Sequence, residues 1–330
     1  MLRRQAFARF NCIITPKAIT RSKYSTVSGS DVARTKVPFK NITIFGSGMM
    51  GSGIAQVSAA NEYHVNLVDL NKGALDRSQQ YILSSLKRIA RKKTTDERMQ
   101  TNYIDEVLSR INFTTESEHA VASSDMVIEA VVENIEIKQN LFKSLDPMAS
   151  PQTLFVSNTS SLKIKDIFRD VSEKRKERIG GLHFFNPVPQ MKLLEVIKTD
   201  TTKQEVFDTL FNYGVSVGKV CVVCKDMPGF IVNRLLVPYM LEAVKMLERG
   251  DASAKDIDIA MKYGAGYPMG PFELLDYVGL DTTYFVAKGW YEDSEIQKME
   301  LVKPPSVLKK LVEAGNLGIK SGKGFYEHRK

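Results

Sequence analysis

The chain has 330 residues, 43% of them apolar, enough to bury more than one core. No run approaches the roughly 18 to 20 consecutive apolar residues that a membrane-spanning helix needs. The formal charge of +8 invites a nucleic-acid reading, but residues 1–30 hold Arg3, Arg4, Arg9, Lys17, Arg21 and Lys23 and no acid, so the rest of the chain carries only +2. That distribution argues against a nucleic-acid partner.

The segment 1–36 comes first. It is basic, free of acids to residue 30, rich in Ser and Thr, and carries Leu2, Phe7, Phe10, Ile13 and Ile14 between its charges. This is the composition of a mitochondrial presequence, with cleavage expected between Tyr24 and Val32; a plain basic tail is the alternative. It lacks the long apolar stretch of a secretory signal.

Asn41 to Phe45 is a β-branched and aromatic run that predicts a strand ending at Gly46, Gly48 and Gly51. Small residues from Ile54 to Ala59 predict a helix close to a sheet, and His64 to Leu70 a second strand. Leu75, Ile82, Leu83, Leu86 and Ile89 recur at helical spacing, with Lys87, Arg88, Arg91, Lys92 and Lys93 mostly off that stripe. A second helix over residues 96–109 makes this pair a candidate hairpin projecting from the sheet. Strands then alternate with helices again: apolar runs 126–132, 153–157, 179–185, 193–197 and 220–223, with helical patterns over 135–148 and 203–217. Past Lys225 only helices and loops are legible, among them a long helix 231–249 that contains Pro238. The expected fold is α/β: a doubly wound, mostly parallel, Rossmann-like sheet with a helical hairpin insertion, over 37–225, then an all-α domain over 226–330.

A G-x-G-x-x-G pattern alone is weak. Following a strand and opening a helix, it reads as a dinucleotide turn, in which Gly48 leaves room for pyrophosphate and the helix N-terminus meets its charge. Met49 and Met50 lie inside that turn. Asp69, 23 residues past Gly46 at the end of the second strand, suits a ribose 2′-hydroxyl and repels a 2′-phosphate, which favours NAD over NADP despite Lys72 nearby.

Of four histidines, His183 stands apart. It ends an apolar run at the edge where ligands bind in such sheets, just before the stiff Asn186-Pro187 turn. Glu195, in the next strand-like run, is placed to pair with it, fixing the tautomer and raising the basicity of the outer nitrogen. A hydrogen-bonded core histidine is the competing reading. Cys221 and Cys224 form a C-x-x-C, but strand alternation puts the two thiols on opposite faces, and no second pair completes a metal site, so no metal is expected.

The stretches GSGMMGSGIAQVSA, VENIEIKQNLF, SNTSSL, GLHFFNPVPQMKLLEVI, KDMPGFIVNRLL and GAGYPMGPFELLDYVGLD closely resemble the L-3-hydroxyacyl-CoA dehydrogenases of fatty-acid β-oxidation, above all the stand-alone mitochondrial branch. The resemblance runs from about Lys40 to Tyr326. It implies NAD as cofactor, an acyl-CoA thioester as substrate, a mitochondrial matrix enzyme, and a helical domain that forms a homodimer. It also implies His183 as the base, Glu195 as its partner acid, Ser160 at the substrate and Asn233 near the reacting oxygen. Cofactor positions carried over are Gly46, Gly48, Gly51, Asp69, Glu133, Lys138, Ser160, Asn186 and Lys320, with Asn158 a further candidate. Glu133 and Lys138 also read as a structural ion pair. Ser78 and Ser85 match positions that contact coenzyme A, and the basic helix beside them reads either as a phosphate cradle or as a solvated face. A related dehydrogenase of free hydroxy acids, and a scaffold protein without turnover, are the rival functions.

Overall fold

The computed structural model describes residue 37, residues 39–292 and residues 300–328. The segment read as a presequence therefore lies outside the described residues. Eight strands form one sheet: β1 (Asn41–Phe45), β2 (His64–Val68), β3 (Ile111–Thr114), β4 (Met126–Glu129), β5 (Leu154–Ser157), β6 (Ile179–Phe184), β7 (Leu193–Lys198) and β8 (Val220–Lys225), in the order β3-β2-β1-β4-β5-β6-β7-β8. Neighbours are parallel except β6 and β7, which are antiparallel. The order reverses between β1 and β4, the switch point outside whose strand ends a crevice opens.

Both faces of the sheet are covered, which is why its central strands read as unbroken apolar runs. In β4, Met126 and Ile128 join the core on one face while Val127 joins that on the other, and Leu154, Phe155 and Val156 of β5 alternate the same way. The first face packs on α1 (Met49–Ala60), α2 (Lys72–Lys93) and α8 (Gln204–Ser216). The second packs on α4 (Ser117–Ala122), α5 (Ile135–Leu145) and α6 (Ile164–Ile167). Each fully buried Ile, Leu or Val contributes roughly 1.5 to 3 kcal/mol. Cys221 packs with the first core and Cys224 with the second, so the thiols do lie on opposite faces.

Two expectations change. The hairpin of α2 and α3 (Glu97–Leu108) does not simply project: Leu75, Ile82, Leu86 and Val107 belong to the main core, so its base is part of the helical layer. Strand β3 went unread. Its four residues, INFT, are half polar because it is a sheet edge paired only with β2.

After α7 (Glu173–Lys176) and β8 the chain turns through residues 226–231 into α9 (Val232–Arg249). The Asp226 carboxylate ties this link to the sheet domain by accepting bonds from the Ile164 and Lys165 amides at 2.6 and 2.8 Å. Helix α9 continues through Pro238 and packs with α10 (Ala254–Gly264), α11 (Pro271–Val278), α12 (Leu280–Glu292) and α13 (Ser306–Glu313) around a third core that includes Leu241, Phe272, Leu275 and Trp290. Among the described residues no helix is long and apolar enough to cross a membrane.

Candidate active site

The three glycines of the turn do three different things. Gly46 has φ +96°, and a Cβ there would stand 2.6 Å from the Ala130 carbonyl oxygen. A Cβ on Gly51 would lie 1.8 Å from the Gly46 carbonyl oxygen, so only glycine lets α1 start this close to β1. Gly48 is the informative one. Its φ of −65° is ordinary and no atom lies within 4 Å of a Cβ there, so the protein itself does not require glycine. The bare backbone opens beside a cleft of about 580 Å³ lined by Gly46, Gly48, Asp69, Val131, Ile137 and Leu141 among others. An apolar-walled cleft at a helix N-terminus, with a carboxylate on its rim, fits an adenine nucleotide.

Asp69 follows β2 and accepts bonds from the Ser47 amide and hydroxyl at 2.8 and 2.7 Å through one carboxylate oxygen. Partial burial opposes its charge, but these bonds and those from the Asn71 and Leu70 amides outweigh it and hold the carboxyl below its usual range.

His183 and Glu195 are register partners across β6 and β7, so their side chains share one face of the sheet. Imidazole Nδ1 lies 2.6 Å from Glu195 Oε2, and both residues are buried. A carboxylate only accepts, so Nδ1 carries the proton and Nε2 is left as an acceptor. Ser160, exposed in the loop that follows β5, places its Oγ 3.1 Å from Nε2. The other Glu195 oxygen accepts from the Ile231 and Val232 amides at 3.0 and 2.9 Å, at the start of α9. Asn233, one residue on, donates from Nδ2 to the Ser160 carbonyl at 3.3 Å. All four residues read as catalytic from the sequence thus meet in one cluster.

Glu133 and Lys138 form the ion pair, and a third residue completes it. Lys138 Nζ, at the first turns of α5, is 1% exposed and lies 2.7 Å from Glu129 Oε1 and 2.8 Å from Glu133 Oε2. Burial opposes the ammonium charge, but the two carboxylates overcome it and raise its pKa. Burial pushes the fully buried Glu129 carboxyl up, against the pull of Lys138. Glu133 is opposed by burial too, yet Lys138 and the bonds from Thr159 and Ser160 lower it. Through Oε1 Glu133 also accepts from the amides of Ser160 and Ser161, at 3.0 and 3.2 Å, and from the hydroxyls of Thr159 and Ser161. The cluster therefore shapes the loop that carries Ser160.

Other positions fall elsewhere. Asn186 is exposed just after β6, at a cis bond to Pro187. Asn158 is buried and accepts from the Phe184 amide at 2.9 Å, lacing β5 to β6. Lys320 belongs to the helical domain and pairs with Asp281 at 2.5 Å. The next residue, Thr282, lines a cleft of about 410 Å³ shared with Glu133, Ser161 and Trp290. Met49 is 63% exposed at the start of α1, and Met50 is half-buried. Ser78 and Ser85 do not lie on the exposed basic face: they are 3% and 8% exposed, and Ser78 shares a 2.7 Å hydrogen bond with Ser52 where α2 meets α1. The basic side chains Lys87, Arg88, Arg91, Lys92 and Lys93 are exposed. Ser47, Glu129, Thr159, Phe185 and Phe230 were not read as site residues. An acid inside the otherwise apolar run 126–132 was the available signal for Glu129.

A histidine proton acceptor on the same sheet as a dinucleotide-binding turn has one broad use: it takes a hydroxyl proton while the adjacent carbon gives up a hydride. That chemistry defines the class as a nicotinamide-dependent dehydrogenase. The NAD-binding domain model of 3-hydroxyacyl-CoA dehydrogenase matches residues 41–227, and the C-terminal domain model of 3-hydroxyacyl-CoA dehydrogenase matches residues 229–328. The human mitochondrial hydroxyacyl-coenzyme A dehydrogenase is 49% identical over 316 residues, covering 94% of this chain and 99% of that protein. A probable 3-hydroxyacyl-CoA dehydrogenase of Caenorhabditis elegans is 51% identical over 92% of this chain and 98% of its own. Among solved structures, FadB2 of M. tuberculosis superimposes with a TM-score of 0.80 at 37% identity, over 88% of this chain and 99% of that one. The (S)-3-hydroxybutyryl-CoA dehydrogenase PaaH1 of Ralstonia eutropha does so at 0.81 and 34%, with the same coverage. The chain belongs to the 3-hydroxyacyl-CoA dehydrogenase family; it is an NAD-dependent oxidoreductase with that activity.

Proposed function

We propose that the chain oxidises (S)-3-hydroxyacyl-CoA to 3-oxoacyl-CoA in mitochondrial fatty-acid β-oxidation, with His183 as general base and Glu195 as its orienting acid. The observation that carries this reading is the 2.6 Å contact between His183 Nδ1 and Glu195 Oε2, which leaves Nε2 facing the exposed Ser160. Bound NAD supplies the hydride acceptor. His183 Nε2 takes the proton of the C3 hydroxyl, and in the reverse direction returns it to the keto oxygen. Glu195 faces the positive charge that forms on the imidazole, at a short distance and away from water. The Ser160 hydroxyl, already beside Nε2, and Asn233 hold the reacting oxygen in line.

For the cofactor, Gly46, Gly48, Met49, Met50 and Gly51 would offer backbone amides and the α1 N-terminus to the pyrophosphate, and Asp69 would take the ribose hydroxyls. Glu133, Ser160, Asn186 and Lys320 would line the remainder. Lys138 acts through Glu133, since its ammonium is enclosed by two carboxylates. For coenzyme A, the exposed basic residues 87–93 of α2 supply attraction to its phosphates, with Ser78 helping to set how α2 lies on α1 and Ser85 buried beside it on the same helix.

A mitochondrial matrix location is supported by the acid-free basic segment 1–30 and by the mitochondrial name of the human relative. A homodimer through the helical domain is supported by exposed Leu235, Ile259, Tyr263, Tyr277 and Phe285 there. The activity is tested by comparing acetoacetyl-CoA with free acetoacetate in the NADH-driven direction. The thioester is expected to turn over at least a hundredfold better; comparable rates would point to a dehydrogenase of free oxo acids.

A further inference from the structure

We infer that Phe230 is a positioning residue for His183, a ring wall that keeps the imidazole on the line between Glu195 and Ser160. The inference rests on the reading of His183 as the base. Phe230 is buried and has φ +49°, a left-handed backbone that a residue with a Cβ adopts at a cost. Among the described residues only Glu62 shares that feature, and Glu62 sits in an exposed turn after α1. The turn around Phe230 is tightly built. Gly229 has φ +78°, with the Trp290 ring 2.3 Å from where its Cβ would be, and the Phe230 amide donates to the Met227 carbonyl at 3.0 Å. A backbone in this conformation is easiest for glycine, yet the position carries a large ring.

That ring lies against the imidazole. The centroids of Phe230 and His183 are 5.6 Å apart with the planes at 52°, and Phe185, two residues past His183, lies 4.5 Å away at 50°. The next two amides, Ile231 and Val232, are the donors to Glu195 Oε1. One turn therefore gives the base its wall and the acid its anchors. When a substrate hydroxyl takes the place of Ser160 at Nε2, only the Cβ–Cγ bond and the Nδ1 hydrogen bond hold the ring, and that hydrogen bond is soft enough in angle to let it tilt. A flat neighbour restricts that tilting, and so keeps Nε2 aligned with the C3 hydroxyl. Phe230 also packs with the core under β5 to β7, so a purely structural role is the alternative that the experiment must separate.

The test uses full-length Phe230→Leu, Phe230→Gly and Phe230→Tyr, with His183→Gln as control. Leucine keeps most of the volume and the same backbone demand but loses the flat ring. Glycine relieves the backbone and removes the ring, and tyrosine restores it. The measurements are kcat and KM for acetoacetyl-CoA and NADH, the thermal midpoint, and the downfield proton resonance of the Nδ1–H to Glu195 bond, recognised by its loss in His183→Gln. Leucine and glycine are expected to lower kcat about tenfold or more with both KM values within about threefold, and to broaden or shift that resonance; tyrosine should recover most of the rate. Wild-type kcat in either the leucine or the glycine variant would overturn the inference. So would a leucine variant that fails to fold, or one whose rate falls with its melting point while the Nδ1–H resonance stays in place. If His183→Gln itself keeps normal turnover, it is the reading of His183 that fails.

Discussion

His183 and Glu195 stand directly opposite each other across the antiparallel pair β6–β7, with Nδ1 and Oε2 2.6 Å apart. This pairing is the sheet's one departure from parallel order, and it has a chemical use: a short turn returns the chain so that residues 12 apart share a face. The second Glu195 oxygen reaches the first amides of α9, so one carboxylate serves both the base and the junction of the two domains.

Glu195→Gln follows from that double duty. A glutamine offers one acceptor oxygen where the carboxylate offers two, so either Nδ1–H or the Ile231 and Val232 amides must face its NH2 group. The variant is expected to lose about 1 to 3 kcal/mol of stability and at least a hundredfold in kcat while NAD affinity stays within about twofold. Thermal denaturation and stopped-flow turnover check both halves. Unchanged catalysis would make Glu195 structural only.

Gly48 and Gly51 separate binding from folding. Gly48→Ala places a methyl where the protein has no atom within 4 Å, so the melting point should hold while NAD affinity falls about tenfold or more. Gly51→Ala drives a methyl into the Gly46 carbonyl and should destabilise the fold by more than about 2 kcal/mol. Calorimetry and NAD titration on both variants provide the comparison.

Asp69 gives a pH prediction. Bonds from Ser47 and the neighbouring amides lower its folded pKa against partial burial. A depressed carboxylate contributes stability that is present above its unfolded value of about 4 and is lost as pH falls through the folded value. The charge therefore persists below about pH 4, so between pH 8 and 5 the preference for NADH over NADPH, measured as the ratio of kcat/KM, should change only as the NADPH 2′-phosphate takes up its proton at about pH 6. Asp69→Asn should reduce that preference about ten- to a hundredfold, worth about 1.4 to 2.8 kcal/mol.

Lys138 makes the strongest demand on stability. Replacing it with Met leaves the Glu129 and Glu133 carboxylates close together without their cation, which is expected to cost about 3 to 5 kcal/mol in urea denaturation. Adding Glu129→Gln should recover part of that loss. Turnover should fall as well, because Glu133 holds the Ser160 and Ser161 amides.

Much of this was legible in the sequence because it rests on local rules. Central strands covered on both faces read as apolar runs, and a glycine pattern between a strand and a helix announces its turn. Those rules yield the β1–α1–β2 unit, His183 and Asp69. What stayed hidden depends on contacts made across the fold. Glu129 is an acid inside an apolar run until Lys138 folds back onto it, and nothing in the sequence marks Phe230 until its ring is seen on His183. The short edge strand β3 has too few residues to show a pattern. Ser78 and Ser85 carry a family match but no mark in the sequence that both are buried and that Ser78 faces α1.

The central claim is that His183 Nε2 takes the substrate proton, and single-turnover hydride transfer by His183→Gln tests it most directly. Glutamine can still hydrogen-bond but cannot accept a proton at this pH range, so the folded variant should bind NAD normally while the transfer step slows by at least a thousandfold. A folded His183→Gln enzyme that transfers hydride from 3-hydroxybutyryl-CoA to NAD within tenfold of the wild-type rate would contradict the account.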